Sequence, residues 1–206
     1  MERLGPIEML LEEHRLLERV LEELQRFVAE DVLAAGVDGR QRLTEFVRFL
    51  RSFDQLHHMK EEEILFGWMS QNGYSATEGP LAELLKEHTG FRHLLGRLDL
   101  SARADAPWDQ AAREKVLTVA NTYVAVLQGH LQDEEEVFDD LKHQQLPDAT
   151  WRPVIKAFVD FDAQHDKRGL YQRAHGLQPG AAAAEKKGST LPPPSASLPP
   201  SRSGGR

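Results

Sequence analysis

The stretch His57-His58-Met59-Lys60-Glu61-Glu62-Glu63-Ile64-Leu65-Phe66 has a second version in His130-Leu131-Gln132-Asp133-Glu134-Glu135-Glu136-Val137-Phe138. Both read H-x-x-x-E-E-E followed by apolar residues. On an α-helix, residues four apart stand one turn above each other on the same face, about 6 Å apart along the axis. Each stretch therefore aims one imidazole and one carboxylate at a common point, and both are metal-ligand types. A single pair at this spacing is ordinarily a solvated contact worth about 0.2–0.5 kcal/mol. Two such pairs at matched positions of a repeat ask for another explanation.

Outward from these stretches the apolar pattern is helical throughout. Gly5-Pro6 marks a helix start, with Pro where its missing N–H is harmless, and Ile7, Leu10, Leu11, His14, Leu17, Leu21, Leu24 and Val28 form one stripe that ends at Gly36 to Gly39. The second helix is expected from about 40 to 72, with Phe46, Phe49, Leu50, Phe53, His57, Glu61, Ile64 and Trp68 inward. Pro80 opens a third, carrying Leu81, Leu84, Leu85, His88, Phe91, Leu95 and Leu98. The fourth carries Val116, Val119, Tyr123, Leu127, His130, Glu134, Val137 and Leu141 and is broken by Pro147. A fifth is expected from about 151 to 172. After Gly176 the chain turns to Ala, Pro, Ser and Gly and holds six of the eleven prolines, which predicts a disordered tail over 177–206.

His14 and His88 are 74 residues apart, and His57 and His130, like Glu61 and Glu134, are 73 apart. Helices one and two thus recur as helices three and four. The expectation is an all-α protein: an up-down-up-down four-helix bundle over 1–146, an additional C-terminal helix over 147–176 packed on it, and the tail. Each bundle helix places one His in the same buried layer.

Composition narrows the chemistry. The net charge of −8 divides into +3 on 177–206 and −11 on the rest, so the body is acidic and a nucleic-acid backbone is not the expected partner. There is no cysteine, which excludes disulfides, thiolate sites and iron–sulfur clusters. No apolar run nears the roughly 18 residues that a membrane span needs, and the reading is of a soluble, cytoplasmic protein with no membrane partner.

Four imidazoles and two carboxylates inside an apolar bundle would cost several kcal/mol per uncompensated charge. A pair of cations turns that cost into a folding contribution. Four His nitrogens, two bridging carboxylates and an oxo or hydroxo bridge leave one open position on each of two six-coordinate metals. Mixed imidazole and carboxylate ligation with open positions suits non-haem iron, with manganese or zinc as competitors. The metal set is His14, His57, Glu61, His88, His130 and Glu134. His58 would have to replace His57 by pairing with Glu62, a register off the Phe53, Ile64 and Trp68 stripe. Glu62, Glu63, Glu135 and Glu136 read as a solvated acidic face. Tyr123, two turns before His130, is a candidate hydrogen-bond donor to a bound ligand or plain core, and His143, His165 and His175 read as surface or packing residues.

In these residues the chain resembles the hemerythrin-like family, the HHE cation-binding domain. The family pattern is a His on the first helix, H-x-x-x-E-E on the second, E-H on the third and H-x-x-x-E-E on the fourth. Glu13-His14, His57 to Leu65, Glu87-His88 and His130 to Phe138 match it in order and spacing. The resemblance implies two iron ions (Fe2+/Fe3+), with His14, His57, His88 and His130 as terminal ligands and Glu61 and Glu134 as bridges. Oxygen-carrying hemerythrins have a fifth His four residues after the third-helix His, where this chain has Arg92, and His93 is rotated about 140° from the ligand face. Their fourth-helix bridge is an Asp five residues after the His. The chain is therefore more similar to members with four His and two Glu, linked to iron-centre repair and to nitric oxide or oxidative stress. A Gly67 and an Asp139-Asp140 pair stand where members often have Pro.

The expected function is binding or reducing a small ligand, O2, NO or H2O2, with peroxide- or NO-directed redox activity and sensing or iron handling as variants. The competing expectation is a helical interaction module with a structural zinc or manganese site or no metal.

Overall fold

A computed structural model describes residues 5–32 and 39–178. Among the described residues the regular structure is helical: α1 Pro6–Phe27, α2 Arg40–Lys60, α3 Phe66–Gln71, α4 Pro80–Ala102, α5 Gln110–His143, α6 Asp148–Gln164 and α7 Lys167–Leu177. A π turn, Val28–Val32, continues α1, and another, Glu61–Leu65, joins α2 to α3. The expected 40–72 helix is thus continuous in path but contains one π turn. The expected tail lies outside the described residues except for its first two: Leu177 is helical and buried, followed by Gln178.

Local chemistry sets the ends. Proline opens both α1 and α4, and Gly79 before α4 has φ 78°, a conformation that suits glycine. Asp109 caps α5 by accepting from the Ala112 N–H at 2.8 Å. The single fifth helix expected from 151 to 172 is two helices. His165 is extended at φ −115°, ψ 143°, and Asp166 starts α7 by accepting from the Gly169 N–H at 2.9 Å. A local Asx cap outcompeted the helical periodicity that runs through both segments.

Helices α1, α2, α4 and α5 contact one another in a ring, α1 to α2, α2 to α4, α4 to α5 and α5 to α1. Their apolar faces form two clusters. The larger takes Leu17 to Phe27 side chains of α1, Leu43 to Leu56 of α2, Phe91 to Leu98 of α4 and Val116 to Leu131 of α5. The smaller takes Ile7 and Leu10 of α1, Leu65, Phe66 and Met69 after α2, Leu81 and Leu84 of α4, and Val137, Phe138 and Leu141 of α5. In each of these four helices the buried histidines lie where the two clusters meet, joined by the buried Glu13, Glu61 and Glu134.

The π turn shifts the inward set after Glu61. Ile64 and Trp68, expected inward, are only partly buried, and Leu65, Phe66 and Met69 are buried instead. The Phe66 N–H bonds to the Glu61 carbonyl, five residues back, so one extra residue enters the turn and rotates the residues beyond it. Helices α6 and α7 pack on α1 and α2, with Phe158 in the smaller cluster and Leu170, Ala174 and Leu177 in the larger. None of the described helices is long and apolar enough to cross a membrane.

Candidate metal centre

Two groups of buried side chains could each hold a metal ion: His14, His57, Glu61 and Glu134 in one, His58, His88 and His130 in the other. Within each group the ligand atoms lie within 4.8 Å of one another. His14 Nε2 faces His57 Nε2 at 3.1 Å, and His88 Nε2 faces His130 Nε2 at 3.2 Å. Glu61 spans the groups: its Oε1 is 2.8 Å from His57 Nε2 and its Oε2 is 3.9 Å from His88 Nε2. Glu134 Oε2 is 3.1 Å from His14 Nε2 and 3.6 Å from His130 Nε2. All six residues of the expected metal set converge here.

His58 converges with them, which the sequence reading did not expect. Helix α2 lies against both α1 and α4, and consecutive helical residues point about 100° apart. His57 therefore meets His14 on α1, at 4.9 Å between ring centroids, and His58 stacks on His88 of α4 at 4.2 Å. His58 supplements His57 and does not replace it. Its counterpart 73 residues on is Leu131, so the duplicated centre is asymmetric.

Every one of the five rings gives its Nδ1–H to a carboxylate. His57 donates to Glu13 at 2.8 Å and His130 to Glu87 at 2.8 Å. His88 donates to Glu62 at 2.7 Å, His14 to Glu135 at 3.3 Å and His58 to Asp54 at 3.0 Å. The first four obey the repeat, since Glu13 and Glu87 are 74 apart and Glu62 and Glu135 are 73 apart. Glu62 and Glu135 are thus not simply a solvated face. Arg92 ties this support together, donating to Glu62 at 2.7 Å and to Asp54 at 3.0 and 3.1 Å. A carboxylate on Nδ1 fixes the tautomer and leaves the Nε2 lone pair facing inward, the arrangement of metal-bound histidines.

The remaining polar atoms also fit a cation pair. His58 Nε2 and all four oxygens of Glu61 and Glu134 are buried without an aligned hydrogen bond. Such orphans cost about 1–3 kcal/mol each when nothing satisfies them. Burial, then the neighbouring Glu134 charge, pushes the Glu61 carboxyl well above the ordinary range. Glu134 is also buried, but the bond to His14 and the neighbouring His130 charge hold it below the ordinary carboxylate range. Burial drives His58 well below the usual imidazole value, with the His88 charge adding to it. Burial likewise depresses His14, but bonds to Glu134 and Glu135 outweigh it and raise that imidazole.

Tyr123 is buried in the larger cluster, and burial together with the Asp54 charge raises its phenol, so it keeps its proton. His93, His143 and His175 are exposed. His165 stacks on Phe161 at 3.9 Å and donates to its carbonyl.

The family model for the hemerythrin HHE cation binding domain matches residues 5–141. No curated protein and no solved structure matches the chain. The matched segment holds both ligand groups and all five supporting carboxylates, and the chain belongs to the hemerythrin family of HHE cation-binding domains.

Proposed function

We propose that this cation-binding domain is a non-haem di-iron protein that binds or reduces a small ligand such as O2, NO or H2O2. The observation that carries the reading is five imidazoles, each held at Nδ1 by a carboxylate, turned toward two buried glutamates with no other partners. His14, His57, Glu61, His88, His130 and Glu134 are the proposed ligands, and His58 is added to them. Mixed nitrogen and oxygen donors without sulfur favour iron over zinc, with manganese the nearer competitor. Bound iron would supply electrons and a coordination position for the small ligand.

The chain's own part is orientation and charge. Glu61 and Glu134 would give their negative charge to the metals, and the Nδ1 carboxylates keep each ring from rotating. With His58 counted, one group would offer three imidazoles and the other two, so a small ligand would be taken up on the side of His14 and His57. Room for a ligand on that side alone would suit binding a single diatomic or peroxide molecule. The same reading takes α1, α2, α4 and α5 as an up-down-up-down four-helix bundle. Successive helices enter the two apolar clusters in alternating order, which supports it. The unit of 1–146 carries the centre, and a role in oxidative or nitrosative stress follows from the ligand class.

Purification without chelator, metal analysis and visible spectra before and after reduction and air exposure test the proposal. About two irons per chain with bands that vanish on reduction and return in air would support it. No iron after expression in iron-supplemented medium overturns it.

A further inference from the structure

Helices α6 and α7 lie beyond the segment that matches the family, yet two of their side chains reach the support of His57. Lys60, fully buried on α2, donates to Glu13 Oε1 at 2.7 Å and to Asp162 of α6 at 3.0 Å. Lys167 of α7 donates to the same Glu13 oxygen at 2.6 Å and to the other Asp162 oxygen at 2.7 Å. The four groups close a ring of alternating charge. Both ammonium groups hold Glu13 Oε1, and Oε2 is left to His57 Nδ1–H at 2.8 Å.

The repeat provides the comparison. Glu87 stands to His130 as Glu13 stands to His57, and Asp133 stands 73 residues after Lys60. Glu87 opens on a groove with Glu83, Asp133, Glu136 and Asp140, and its side chain is 33% exposed. Glu13 is 0% exposed and bears two lysines. Stability does not account for the difference, because a buried ion cluster is often no better than apolar residues of the same volume. Positioning does, since a carboxylate pinned through one oxygen cannot swing away from the ring it orients.

We propose that Lys167 and Asp162 are positioning residues of the metal centre: with Lys60 they lock Glu13, which holds His57 so that its Nε2 faces the metals. The segment α6–α7 is then a working part of the centre on the His14 and His57 side, while on the His130 side Glu87 stays partly open to solvent. This rests on the metal-binding reading above.

Zinc, which is diamagnetic, serves as the probe. Full-length wild type, Lys167→Met, Asp162→Asn and Lys167→Arg are titrated with zinc, and the ring N–H resonances of histidine-labelled protein are recorded. The His57 resonance is the one that Glu13→Gln displaces. Lys167→Met and Asp162→Asn are expected to weaken one zinc step by about ten-fold. They should also displace the His57 resonance while leaving that of His130 in place, and Lys167→Arg should restore both. If the wild type binds two zinc ions and both variants keep its affinities and its His57 resonance, the inference falls and the metal reading stands. A wild type that takes up no zinc overturns both.

Discussion

Phe66 stacks on His88 with ring centroids 5.9 Å apart and planes 19° apart. Phe138 makes the same contact with His14 at 6.0 Å and 21°. The 73-residue repeat pairs Phe138 with Leu65, so the two contacts are one residue out of register, and the π turn Glu61–Leu65 contributes that residue. Deleting the exposed Glu63 is expected to return the turn to α-helical register. Phe66 would then stand four residues after Glu61, as Phe138 stands four after Glu134. The deletion should keep the helical circular dichroism and lose less stability in urea than Phe66→Ala, which removes a buried ring worth about 3–5 kcal/mol. Unfolding by the deletion would mean that the π turn serves Glu61 and not the Phe66 stack.

His58→Leu copies Leu131, its counterpart in the repeat. In the metal-free protein the change removes a buried nitrogen without an aligned bond and also the Nδ1 bond to Asp54, which keeps Arg92, and stability should rise by about 1 kcal/mol. Metal affinity should fall in the same protein. Opposite signs separate a ligand from a packing residue, and thermal melts run beside metal titrations read both. A drop in metal-free stability with unchanged metal content would count against His58 as a ligand.

The convergence of His14, His57, Glu61, His88, His130 and Glu134 was legible because two signals coincided, the four-residue spacing within a helix and the repeat between helices. His58 was not, because the stripe of α2 describes one face, and which helices flank it is a property of the assembled bundle. Glu13, Glu62, Glu87 and Glu135 carried a signal in the same repeat, and Asp54 lies four residues before His58. A carboxylate beside a ligand motif nevertheless reads as solvated by default. Lys60 offered nothing in the sequence, since a buried lysine depends on partners from α1 and α6. The break at His165 was hidden because both halves keep an apolar stripe.

Lys167 links α7 to alkaline stability. Burial alone would lower its ionisation, but the Glu13 charge and the bond to Asp162 outweigh it and raise the group above its ordinary 10.5. A lysine raised on folding contributes stability that is complete below 10.5 and is lost as pH climbs toward the folded value. The gap in melting temperature between wild type and Lys167→Met should therefore stay constant from pH 8 to about 10 and narrow above it. A gap that shrinks already between pH 8 and 9 would assign the effect to another group.

Removing the metal distinguishes a built site from a helical module that merely has the ligand residues. A ligand that binds only the folded state adds about 2.7 kcal/mol when its free concentration is one hundred times its dissociation constant. For a domain of this size, each kcal/mol moves the melting temperature by about 2–4 °C. Stripping the protein with chelator should thus lower its melting temperature by about 5–10 °C, and anaerobic iron(II) should restore it. In His14→Ala and Glu134→Ala the dependence on chelator should shrink or vanish, because each removes a ligand atom from the group that also contains His57 and Glu61. Metal-free His14→Ala should melt below the metal-free wild type, because the change leaves a cavity and takes a partner from the buried Glu134, so the ligand role is read from the lost chelator dependence alone. Melting that ignores chelator in the wild type would leave the buried glutamates without a cation to compensate them and would return the fold to a structural role.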